Sequence, residues 1–180
     1  MQARRAVHSE GAFLSLNGVG IVTRQEPCNH IEAIRTLKAR YFRGMDTKDE
    51  ALFRSVFAPD IRLDARGSTT DPTTGFNPFD GVTGGVIEGV DNLVSQVFAN
   101  LPDMSVHQGY MPEIEIVDED QATGIWAMSD LLRWRAGPLV EMRGNGHYHE
   151  TYRRIDGVWK IGTSRLTRLY LDVVPRTPIP

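Results

Sequence analysis

Asp130 shares one parity with Trp126, Met128, Leu132 and Trp134 in a segment that alternates like a strand. A carboxylate within an apolar stripe is costly to bury unless it is paired or hydrogen-bonded. Asp130 is therefore a pocket carboxylate, half of a structural pair with an arginine, or the place where the stripe turns to solvent. His107, between Val106 and Gln108, opens another strand-like segment. An imidazole with its ordinary pKa of about 6.5 suits a general base near neutral pH when a carboxylate orients it. Asp46 falls at a break between two helical segments and is either that carboxylate or a cap. Tyr41 lies on the apolar stripe of the first helix, as core or as a hydroxyl reaching a pocket. His147 and His149 project from one strand face and could join His107 and Glu150 around a metal. Alternating polar residues on a solvated strand give the same spacing.

The elements that must position these groups are legible from periodicity. Asn29 and Glu32 have the spacing of a capping box, which places the start of a first helix at Asn29. Ile31, Ile34, Leu37 and Tyr41 recur at helical spacing and leave Arg35, Lys38 and Arg40 towards water. Thr47 and Glu50 repeat the capping pattern and open a second helix that buries Leu52, Phe53, Val56 and Phe57. Pro59 ends it. Ile61, Leu63 and Ala65 alternate as a short strand. Residues 66–85 form a long Gly-, Thr-, Pro- and Asp-rich loop of the kind that serves as a lid, and Phe76 and Phe79 lie within it. A third helix spans residues 90–100. Strands follow around Ile114 and Ile116, from Ala122 to Trp134, from Gly146 to Ile155, and from Trp159 to Tyr170, with a hairpin at Asp156-Gly157. Helices followed by consecutive strands indicate an α+β domain.

The chain has 180 residues, 41% hydrophobic and 24% charged, with a net charge of −3. That is enough for one domain with a real core, and it gives no electrostatic footprint for nucleic acid or an anionic membrane. Cys28 is the sole cysteine, so no intramolecular disulfide forms. Arg4 and Arg5 before Ala12 to Val22 loosely imitate a secretory signal. Glu10, Ser15, Asn17, Gly18 and Gly20 interrupt that pattern, and the expected location is the cytoplasm. Phosphate loops, dinucleotide fingerprints and the GxSxG elbow are absent. The expected organisation is an N-terminal extension over residues 1–28, one domain over 29–172 and a Pro-rich tail over 173–180.

Four stretches resemble the SnoaL-like (NTF2-like) superfamily: residues 34–46, His107 to Ile116, Ala122 to Asp130, and Tyr148 to Arg168 with its Asp156-Gly157-Val158-Trp159 turn. Within it they resemble the bile-acid 7α-dehydratases and, more distantly, the hexachlorocyclohexane dehydrochlorinases. The resemblance implies a cystatin-like cone, a curved antiparallel sheet packed on three N-terminal helices, which in this family assembles as dimers or trimers. It implies catalytic roles for Tyr41, Asp46, His107, Arg168 and Asp130; the 66–85 loop lies outside the resemblance, and Phe76 and Phe79 in it, with Trp126, Trp134 and Tyr110, are the expected pocket residues. It also implies a lyase that needs no cofactor or metal and acts on a hydrophobic cyclic or steroid-like substrate. His107, supported by Asp46, would remove a C–H proton. Tyr41 would hydrogen-bond the enolate or departing oxygen, and Arg168 would hold negative charge there or on a remote anionic group. Arg165 replaces Arg168 if a bulge shifts the strand. A silent ligand-binding or oligomerisation module, an isomerase, and the small subunit of a ring-hydroxylating dioxygenase share the fold, so fold alone does not choose among them.

Overall fold

Ile34, Leu37, Lys38, Tyr41 and Met45 form a single buried stripe on α1 (Gln25–Asp46). The computed structural model describes residues 25–79 and 85–176. The expected N-terminal arm up to residue 24 and the tail from residue 177 lie outside the described residues. At Asn29 the helix is already under way, so Asn29 is not its cap. The larger correction is Lys38, which is fully buried where the periodicity sent it to water. Its position, four residues after Ile34 and three before Tyr41, is an inward one.

α2 (Glu50–Ser55) is capped by Asp49, whose Oδ1 accepts from the Leu52 N–H at 2.9 Å. Thr47, the expected cap, instead donates its hydroxyl to the Arg43 carbonyl and closes the end of α1. β1 (Phe57–Asp64) starts before Pro59, so the proline does not terminate a helix. It is tolerated because β1 pairs with its neighbour at Phe57 and again from Arg62, with an irregularity between that demands no N–H from residue 59. β2 (Val86–Glu88), not foreseen from the sequence, adds antiparallel to β1 just before α3 (Val90–Asn100).

Four long strands complete the sheet: β3 (Met104–Ile116), β4 (Gln121–Arg133), β5 (Leu139–Ile155) and β6 (Val158–Pro175). The order is β2-β1-β6-β5-β4-β3. The β1–β6 pair is parallel, so the sheet is mixed at that junction and antiparallel elsewhere. The sheet is curved and unclosed, and the helices lie in its concavity. α1 packs on β3, α2 and β6, and α3 on β1, β2 and α2. Close approach of α1 requires Gly109 on β3, where an added Cβ would stand 2.7 Å from the Phe42 ring. Among the described residues no helix is long and apolar enough to cross a membrane.

Candidate active site

The end of α1 delivers Asp46 to β3. Its Oδ2 accepts from the backbone N–H of His107 at 2.8 Å, and its Oδ1 meets His107 Nδ1 at 2.6 Å. An ionised carboxylate only accepts, so in the neutral ring Nδ1 carries the proton and Nε2 presents a lone pair. The two bonds fix both backbone and ring, and Nε2 is the nitrogen left for a molecule outside.

Deeper in the concavity, Asp130 and Arg168 form a bidentate pair, with Nη1–Oδ1 at 3.0 Å and Nη2–Oδ2 at 2.7 Å. Both side chains are 3% exposed. Asp130 is on β4 and Arg168 on β6, with β5 between them. Gly144 of β5 stands opposite Asp130, and Gly146 opposite Arg168. A Cβ at residue 144 would strike the guanidinium and come 3.0 Å from Asp130 Oδ1. Gly144→Ala is therefore expected to lower stability by about 1–3 kcal/mol through overpacking, read as a fall in Tm. Arg165, the alternative arginine, is exposed on the opposite parity and pairs in register with His149.

Tyr41 is buried edge-on against Tyr148, ring centroids 5.9 Å apart, and feels the carboxylates of both pairs. Burial, reinforced first by the Glu150 carboxylate and then by those of Asp46 and Asp130, raises its pKa far above the ordinary phenol value. Tyr41 is thus a donor that keeps its proton, not a base. Tyr148 is raised in the same way, first by burial. It escaped the sequence reading, although it shares the inward parity of Glu150 and Tyr152.

A cavity of about 480 Å³ opens beside the dyad. His107 lines it, as do Phe79 and Trp134, whose rings are 5.9 Å apart, with Leu101, Leu132 and Met142. Tyr41, Asp46, Asp130 and Arg168 stand behind this wall and do not line it. Three expected pocket residues lie elsewhere. Phe76 is 54% exposed. Tyr110 faces the outer side of the sheet, bonded to Gln108 and Ser129. Trp126 is buried in the core, its Nε1 donating to the Tyr152 hydroxyl. Part of the long loop is itself folded: Asp71 accepts from Thr73, Thr74 and the Leu171 N–H of β6, while Arg168 Nε donates to the Ser68 carbonyl at 2.8 Å.

His147 and His149 occupy outward positions of β5, the parity opposite to Tyr148 and Glu150. Their rings are 6.5 Å apart and His149 bonds Thr167. Among the described residues no three His, Cys, Asp or Glu side chains converge as metal ligands. Glu150 is instead committed to Lys38, Ser164 and Tyr152.

A helix-lined curved sheet with a buried polar group beside an apolar cavity defines the cystatin-like α+β class. Residues 27–165 match the SnoaL-like domain, and the chain belongs to that family. A hexachlorocyclohexane dehydrochlorinase superposes with a TM-score of 0.66 at 20% identity, covering 87% of this chain and 95% of that one. A putative scytalone dehydratase from Novosphingobium aromaticivorans superposes at 0.65 and 15% identity, covering 87% and 99%. A Mycobacterium tuberculosis protein of unknown function superposes at 0.62 and 25% identity, covering 83% and 78%.

Proposed function

We propose that the chain is a cofactor-independent lyase that eliminates water from a hydrophobic cyclic alcohol. The observation that carries this reading is the doubly bonded Asp46–His107 dyad, set with Nε2 free beside a largely apolar cavity. Nε2 takes an acidic C–H proton from the carbon next to the one bearing the hydroxyl. The electron pair of that C–H bond becomes the new double bond as the C–O bond breaks. Asp46 supports the imidazolium that forms, as the carboxylate does in a catalytic triad. The imidazolium then returns its proton to the departing oxygen, so that water leaves and the dyad resets. Tyr41 keeps its proton and supports the same region from behind the wall. The names of two similar structures, a dehydrochlorinase and a dehydratase, both describe eliminations and support this reading.

Incubation with steroid, polyketide and terpenoid alcohols, followed by mass spectrometry, tests it. At least one alcohol is expected to lose water at a rate that persists in the presence of a chelator. Turnover that stops on chelation and returns with a divalent cation would contradict the dyad mechanism.

A further inference from the structure

The guanidinium of Arg168 is almost fully occupied. Two of its N–H groups go to Asp130, a third to the Ser68 carbonyl, and Nη1 also approaches Met128 Sδ at 3.6 Å. Ser68 and Thr69 line the cavity, so the guanidinium holds up part of the wall from behind. The next inward residues after Asp130 and Gly144 are Leu132 and Met142, and both line the cavity. The pair is thus adjacent to the cavity but presents no charge to it. No Asp, Glu, Lys or Arg occurs among the described lining residues, and the only titratable one is His107, already backed by Asp46.

We propose that the cavity selects uncharged ring compounds and rejects anions, because Arg168 is a strut between Asp130 and Ser68, not an anion receptor. Two physical terms act in the same direction. An ion entering an apolar cavity loses hydration and finds no countercharge among the described lining residues to replace it. An anion placed near Nε2 also faces the Asp46 carboxylate across the ring, and like charges at short range repel. A cation is excluded by desolvation too, though less strongly, since Asp46 attracts it. The cavity volume lies within the range that accepts drug-sized ligands. This inference rests on the His107 cavity being the ligand site, as proposed above.

The test is a matched set of probes with one ring system: naphthalene methanol, naphthoate and naphthylmethylammonium. Binding is followed by Trp134 fluorescence, with Trp134→Phe as the control for location, and by calorimetry. The alcohol is expected to bind at least about tenfold more tightly than naphthoate, a difference of about 1.4 kcal/mol. Naphthoate binding as tightly as the alcohol would overturn the proposal, as would failure of all three to bind at millimolar concentration. Asp130→Asn removes the countercharge, and naphthoate affinity should rise about tenfold while that of the alcohol stays level. No change for naphthoate in a folded Asp130→Asn protein would refute the role given to Arg168. If Asp130→Asn does not fold, the order of the three probes on the parent chain still decides. Binding is read without turnover. A chain that binds the alcohol selectively but dehydrates nothing therefore defeats the lyase reading alone.

Discussion

His107→Ala is expected to lower dehydration turnover by about 10²- to 10⁴-fold, the usual worth of a positioned general base. The fold should survive, because the bond that ties Asp46 to β3 also uses the backbone N–H of residue 107, which alanine retains. Asp46→Asn is the sharper variant. The backbone N–H at residue 107 needs an oxygen acceptor, so the oxygen of the substituted amide must face it. The amide NH₂ then faces the ring and can only donate. Nδ1 is forced to accept, the ring proton moves to Nε2, and the lone pair that takes the substrate proton is gone. An equivalent wrong-tautomer argument holds for catalytic triads. Asp46→Asn is therefore expected to lose about as much turnover as His107→Ala, with KM little changed because Asp46 does not line the cavity. Kinetics of both variants on one identified substrate, with circular dichroism to confirm folding, decide the point. A folded His107→Ala protein that retains the parent rate would remove His107 as the base.

The same two residues show what the sequence could and could not supply. Asp46 and His107 are 61 positions apart, and periodicity alone leaves each with a bland alternative. What joins them is the end of α1 meeting the start of β3, a tertiary fact. Strand parity places Asp130 inward on β4, and the buried arginine that makes this tolerable is Arg168. Tyr110 continues the outward run of Val106 and Gln108 that alternates with inward His107, and a bulge between Tyr110 and Glu113 then reverses the facing of β3 so that Ile114 turns inward. Trp126 is inward as its parity requires, but inward means core, since Tyr152 and the α1 stripe fill the space before it. The Pro59 reading fails because sequence does not reveal which strand N–H groups go unpaired. The start of α2 is misplaced because Asp49 competes with Thr47 two residues earlier and its carboxylate makes the bond to the backbone.

Lys38 is the residue most damaged by reading charge as exposure, and its loss should cost the most stability. Its Nζ lies 2.6 Å from Glu150 Oε1, with both side chains fully buried. The ammonium also sits 3.6 Å from the Tyr148 ring centroid and 4.1 Å from that of Tyr41, so aromatic faces supply part of its solvation. Burial lowers its pKa below the ordinary lysine value, and Glu150 opposes that shift. Glu150 in turn accepts from Ser164 at 3.1 Å and from the Tyr152 hydroxyl at 2.6 Å, and Tyr152 accepts from Trp126. Lys38→Met removes the countercharge and leaves a carboxylate in the core, which is expected to cost about 3–5 kcal/mol. Glu150→Gln removes the countercharge and leaves the buried ammonium only an amide oxygen and the aromatic faces, and should cost a similar amount. The double variant Lys38→Met, Glu150→Gln removes both charges, while the amide oxygen now at position 150 still accepts from Ser164 or Tyr152. It should therefore recover much of the loss, so that the two single effects do not add. Urea denaturation of the four proteins measures the coupling. Single-variant losses that add in the double, or a Lys38→Met loss below about 1 kcal/mol, would mean that the pair is solvated as a surface pair is.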